Sequence, residues 1–69
     1  MFFIFTHNDQ KVFEGVLKEN AFKISKHIQS NPSDSFSLKI VKPLKTKVKV
    51  LKELTNTCDI TEYCLYSLM

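Results

Sequence analysis

The sequence has no tryptophan, no arginine and only one glycine among its 69 residues. A single glycine excludes the glycine-rich loops that hold nucleotide phosphates. Without arginine the chain has no guanidinium group to make paired hydrogen bonds to guanine edges or phosphates. The apolar run at residues 2–5 is far shorter than the about 20 residues that span a bilayer. No positively charged leader precedes that run, so we expect no secretory signal, no membrane contact and a cytoplasmic location.

Cysteine and histidine are also scarce and poorly spaced for chemistry. Five residues separate Cys58 from Cys64, and His7 and His27 lie twenty positions apart. Structural zinc sites usually bring their ligands in close pairs, and nothing near either cysteine resembles a nucleophile signature. On a regular helix the two thiols would face different directions and would not form a disulfide. We therefore expect no catalytic, cofactor-binding or metal-binding residue, and a protein that is not an enzyme.

The length predicts one small domain, residues 1–69, with a thin core. A chain of this size buries only about 60% of the surface that it exposes when unfolded. Small domains commonly gain stability from disulfides, metals or partner subunits. Because this sequence gives little support for a disulfide or a metal site, it favours a homodimer or a fold that depends on a partner.

The first half of the sequence predicts a β-hairpin followed by a helix. Residues 2–6 and 11–16 are rich in aromatic and β-branched side chains, and the polar cluster 7–10 between them suits a tight turn. Apolar residues spaced by three or four positions predict a helix over 17–30, which Asn31-Pro32 ends. The alternative is a single long helix over 9–29, since the same apolar spacing extends back to Phe13.

The second half predicts another hairpin and a short helix. Residues 36–41 and 44–51 each alternate between apolar and polar positions, and Pro43 interrupts them. One long bent strand is the alternative. Asp59 with Glu62 resembles a helix-capping box, so the tail is predicted to be helical, with a terminal strand as the alternative. The predicted fold is α+β, a small antiparallel sheet in the approximate order ββαββα with the helices on one face.

Positive charge is concentrated in one segment. Residues 35–52 contain six lysines and no acid, whereas residues 53–69 contain three acids and no base. The alternation predicts that most of these lysines share the outward face of two neighbouring strands, with Val48 and Val50 facing inward. The predicted partner-binding residues are Lys39, Lys42, Lys45, Lys47, Lys49 and Lys52. Like charges at this density repel unless an acidic partner, a nucleic-acid backbone or the acidic tail compensates them.

The first strand carries a second candidate surface. Alternation sends Phe3 and Phe5 to one face and Phe2 and Ile4 to the other. One pair then needs a cover, which the C-terminal segment or another subunit would supply. Core packing is the simpler interpretation, and an exposed apolar strand that contacts a partner is the functional one.

These observations lead to three hypotheses. The first is a regulatory or inhibitory protein that binds a larger, acidic protein, and its size and composition are compatible with an accessory protein of a phage or mobile element. The second is a nonspecific nucleic-acid binder, since lysines neutralise phosphates without reading sequence. The third is a homodimer whose lysines only keep the β surface soluble and prevent edge-to-edge aggregation.

Overall fold

The fold is a four-stranded antiparallel sheet with two helices on one face, in the predicted order ββαββα. The computed structural model describes residues 1–68 of the chain. In space the strands follow the order β2-β1-β3-β4, so β1 and β3 are central and β2 and β4 are the edges. The elements are β1 (Phe2–His7), β2 (Gln10–Val16), α1 (Leu17–Ser30), β3 (Phe36–Pro43), β4 (Val48–Leu54) and α2 (Thr57–Ser67).

The core lies between the two central strands and the two helices. Alternation along β1 buries Phe3 and Phe5 almost completely, and the matching positions of β3 bury Leu38 and Ile40. The helices cover this face with a small set of apolar side chains: Leu17, Ala21, Ile24 and Ile28 of α1, and Ile60 and Cys64 of α2. The opposite side of the sheet, here called the open face, has no covering element among residues 1–68.

The first hairpin is confirmed, and the alternative of one long helix over 9–29 is wrong. Asn8 and Asp9 form its turn with φ of 51° and 66°, a conformation that these two residue types tolerate better than most. The pairing of β1 with β2 shifts by one residue, which leaves Val12 as a bulge. Gly15, at φ 131°, adopts a backbone conformation that side chains disfavour, just before the strand runs directly into α1.

Both helices are where the apolar spacing predicts them, but the cap of α2 is different. The side chain of Asn56 accepts hydrogen bonds from the backbone N–H groups of Cys58 and Asp59 at 2.8 and 3.2 Å. Asn56 is thus the capping residue, and Asp59 lies inside the first turn. Within residues 1–68, neither helix is long and apolar enough to cross a membrane.

The second hairpin has a different register from the predicted one. β3 continues through Pro43, the chain reverses over residues 44–47, and β4 begins only at Val48. The backbone N–H of Leu44 donates to the carbonyl of Lys47 at 2.8 Å and closes this turn. A bulge at residue 51 then shifts the pairing of β4. The predicted strand over 44–51 is therefore wrong at its start, because alternation continues through residues that form the turn.

Candidate functional site

The six predicted binding lysines do not form one flat face. Lys45 and Lys47 lie in the turn of the second hairpin, and Lys42 pairs with Lys49 across the last part of its ladder. We call these four residues the lysine tip. All four side chains are exposed.

The other two predicted lysines lie away from the tip. Lys39 is on the open face, where it pairs with Ile4 on one side and with Glu53 on the other. Lys52 is on the helix side, with its ammonium 5.3 Å from the centre of the Tyr63 ring of α2. The prediction of a single lysine face is wrong because the bulge at residue 51 turns Lys49 to the helix side of the sheet, opposite the side that Lys39 faces.

No acidic side chain compensates the lysine tip within residues 1–68. The two ion pairs found in that range are His7 with Asp34 and Lys11 with Glu14. Glu53, the acid nearest to the segment in sequence, accepts a hydrogen bond from the Ser37 hydroxyl at 3.1 Å. The acids of α2 border a groove beside Lys52 and not the tip. The acidic tail therefore does not neutralise the lysine tip.

The open face carries an apolar row that crosses all four strands. Phe2 pairs with Val16 on one side and Val41 on the other, and Val41 pairs with Val50. We call these four residues the apolar row. Phe2 is 45% exposed and Val50 is 50% exposed, whereas Val41 between them is only 7% exposed. Val48, which pairs with Pro43 beyond the row, is 49% exposed. Val48 and Val50 thus face outward, contrary to the prediction.

The next row along the strands is mostly charged. Its members are Glu14, Ile4, Lys39 and Glu53. The open face is therefore apolar at the end that adjoins the lysine tip and polar further along. Residues of β1, β2 and the second hairpin line a shallow groove of about 360 Å³, which includes Pro43 and Val48 beyond the apolar row.

A cluster of titratable side chains lies at the opposite end of the sheet. Nε2 of His7 is 2.7 Å from the Asp34 carboxylate, and Nδ1 of His7 is 3.0 Å from Nε2 of His27. The Asp34 carboxylate accepts the hydrogen bond from Nε2 of His7, and the two imidazole rings share the second hydrogen bond. The rings of Phe5, Phe13 and Phe36 surround this pair. The cluster connects β1, α1 and the 31–35 loop, and its simplest role is to stabilise the fold at this end of the sheet.

The cysteines lie on α2, away from this cluster. Cys58 is exposed, and Cys64 is buried in the core, where desolvation raises the pKa of its thiol to about 11. A thiol with a raised pKa is a poor nucleophile at neutral pH. Among residues 1–68, no group of three or more His, Cys, Asp or Glu side chains is arranged to hold a metal ion.

Comparison with known proteins supplies no relative. No protein-family model matches the chain, and neither the curated proteins nor the solved structures contain a significant match.

The sequence alone indicates the lysine tip but not the apolar row beside it. Two signals were available: the alternation that separates Phe2 from Phe3, and the valines of the second hairpin. These two signals indicate the apolar row only when the strand order and the position of the bulge in β4 are known.

Proposed function

We propose that this chain is a non-enzymatic regulatory or inhibitory protein that docks on a larger protein with an acidic surface. The lysine tip is the main contact, and the observation that supports it is its lack of any acidic partner within residues 1–68. The two cysteines are free thiols, as is usual for a protein in a reducing compartment, so we place this activity in the cytoplasm.

Self-repulsion at the tip is the physical reason for expecting a partner. Lys42 and Lys49 lie directly opposite each other, and like charges in that position destabilise a sheet. An acidic surface would remove this repulsion and would also attract the tip over a distance of about one Debye length, near 8 Å at physiological salt. Prevention of edge pairing is the simpler alternative, because β4 is an edge strand.

Nonspecific binding of nucleic acid is the second candidate function. It is favoured by the same four lysines together with Lys39 and Lys52, since each ammonium neutralises one phosphate. Single-strand binders also present aromatic rings for base stacking, and residues 42–50 contain no aromatic residue. For this reason we rank it below the protein partner.

A pull-down under two nuclease conditions separates these functions. Tagged protein is incubated with host lysate, with and without nuclease, at low and moderate salt. The test variant is K45Q/K47Q/K49Q. The matched control is K18Q/K23Q/K26Q, which removes the same charge from α1.

The proposal predicts a stoichiometric protein partner that survives nuclease, is retained by the α1 control and is lost by the tip variant. The purified partner must then bind the purified chain directly. Loss of all co-purifying material on nuclease treatment would favour nucleic-acid binding over a protein partner as the function. Equal capture by both triple variants would show that the tip is not the contact.

A further inference from the structure

We infer that a groove between α1 and the edge strand β2 binds a small molecule that joins an aromatic ring to a phosphate, either an aryl phosphate or a nucleoside monophosphate. The groove, here called the α1 groove, has a volume of about 360 Å³. Its lining residues are Phe13 of β2 and Phe22, Lys23, Lys26, His27 and Ser30 of α1. None of them belongs to the lysine tip, so the inference goes beyond the proposed function and does not depend on it.

The spacing of the α1 residues explains why they share one groove. Phe22, Lys26 and Ser30 follow one another at intervals of four residues, and Lys23 and His27 have the same interval. In a helix this spacing places them on one side, over the last turns of α1. The apolar stripe on the other side is buried in the core. The groove side is therefore free to carry residues that the fold does not require.

The aromatic part of the site is formed by Phe22 and Phe13. Phe22 is 64% exposed although it is a large apolar side chain, and Phe13 is partly buried against the core. The ammonium of Lys26 lies 5.2 Å from the centre of the Phe22 ring. A cation and an aromatic surface are thus adjacent, and a ligand ring that packs on the phenylalanines would bring its phosphate beside the ammonium.

The charge of the groove selects an anion. Lys23 and Lys26 contribute two ammonium groups, and no acidic residue of the 1–68 range lines the groove. Neither lysine belongs to an ion pair within that range. Lysine binds phosphate as a point charge, and a phosphate monoester carries between about 1.5 and 2 negative charges at pH 7. Two ammoniums therefore match a phosphate better than they match a singly charged carboxylate.

His27 adds a third polar group whose position is already fixed. Its Nε2 lies 3.0 Å from Nδ1 of His7, and Nε2 of His7 lies 2.7 Å from the Asp34 carboxylate. A protonated imidazole donates from both nitrogens, so His27 is able to hydrogen-bond His7 and a phosphate oxygen at the same time. Because the ring is held before a ligand arrives, less conformational entropy is lost on binding.

A second pair of a lysine and an aromatic ring provides an internal comparison. The ammonium of Lys52 lies 5.3 Å from the centre of the Tyr63 ring, which is nearly the same arrangement. The groove beside this pair, however, is also lined by Asp59 and Glu62. Two carboxylates oppose the entry of a phosphate. Of the two sites, only the α1 groove combines exposed rings with uncompensated positive charge.

Titration of ¹⁵N-labelled protein with four compounds tests the inference: phenyl phosphate, adenosine monophosphate, inorganic phosphate and benzyl alcohol. The last two supply only the charge and only the ring. At least one aromatic phosphate should bind at least about tenfold more tightly than either of them, with the largest amide shifts at Phe22, Lys26 and His27. The tighter of the two distinguishes an aryl phosphate from a nucleotide. Equal binding of inorganic phosphate, or largest shifts in the lysine tip, would overturn the inference.

Matched variants show whether the ring and the charge act together. K26Q removes an ammonium from the groove, and F22L removes the ring at an exposed position while keeping an apolar side chain. Each should weaken the aromatic phosphate at least about fivefold. K18Q makes the same charge change at an exposed position of α1 outside the groove, and K52Q makes it beside Tyr63. Both controls should change the affinity less than about twofold. An unchanged affinity in K26Q or F22L, or an equal loss in K18Q, contradicts the proposed site.

The lysine tip variant keeps this inference apart from the proposed function. K45Q/K47Q/K49Q should bind the aromatic phosphate as the wild type does, whether or not it captures a protein partner. If the tip variant loses the aromatic phosphate, the ligand binds at the tip and the assignment to the α1 groove is wrong.

Discussion

Replacement of Lys49 by glutamate should stabilise the free protein and weaken its docking. Lys49 lies opposite Lys42 near the end of the second hairpin, and no acidic residue pairs with either one within residues 1–68. K49E turns a repulsive cross-strand pair into an attractive one. Cross-strand charge pairs contribute roughly 0.2–1 kcal/mol, and exposure to solvent puts this pair near the middle of that range, about 0.5 kcal/mol.

That gain is measurable by thermal or urea unfolding. In a chain of this length 1 kcal/mol moves Tm by roughly 4–8 °C, so K49E should raise Tm by about 2–4 °C at low salt. The increase should shrink in 1 M NaCl, where the Debye length falls to about 3 Å. K49Q removes only the repulsion and should lie between the wild type and K49E.

The matched control is K45E, which makes the same charge change in the turn, where residue 45 has no cross-strand partner. It should raise Tm by less than K49E. If K45E and K49E are equally stabilising, or if the gain persists in 1 M NaCl, the cross-strand pair is not its origin. If K49E stabilises the chain without loss of partner binding, the lysines serve solubility alone.

Three further predictions concern the fold. The free energy of unfolding should fall between pH 9 and about 11, because the unfolded chain releases the Cys64 proton near the ordinary thiol value of 9.0 whereas the folded chain keeps it to about 11. The loss is at most about 2.7 kcal/mol, and it should persist in C58A but vanish in C64A, as measured by urea unfolding. N56A should cost about 1 kcal/mol through loss of the α2 cap, and an unchanged unfolding midpoint would contradict the capping role. L38A should cost about 2–5 kcal/mol by opening a cavity in the core, and a smaller loss in urea unfolding would mean that the core closes around it.

The parts of the fold that follow from the sequence are those where local pattern and burial agree. The apolar spacing of α1 and the alternation of β1 each bury the residues that the pattern selects, such as Ile24 and Phe5. The polar cluster before Lys11 supplies two residues that tolerate positive φ, which decides the hairpin over the long helix. In these elements each residue is either buried against the core or exposed to solvent, and the sequence pattern predicts which.

The second hairpin shows where that reasoning ends. Alternation fixes which residues share a side of a strand, but not which side is covered. In β4 only Leu54 packs against the core. Burial of apolar side chains therefore does not determine the register of the other residues of this strand. The bulge at residue 51 then reverses the two sides. Alternation therefore predicts the wrong side of the sheet for Val50 and Lys49, and it does not reveal the apolar row.

The weak coupling of β4 to the core has a functional consequence. Val48 and Val50 are large apolar residues, half-exposed, on a strand whose core contact is supplied by Leu54. Folding alone would tolerate polar β-formers at these positions, and it would be helped by fewer lysines at the tip. The segment thus combines two features that do little for the stability of the isolated chain. Because the tip and the row lie outside the core, substitutions there should leave the fold intact, so a loss of binding in a tip variant would report on the contact surface and not on unfolding.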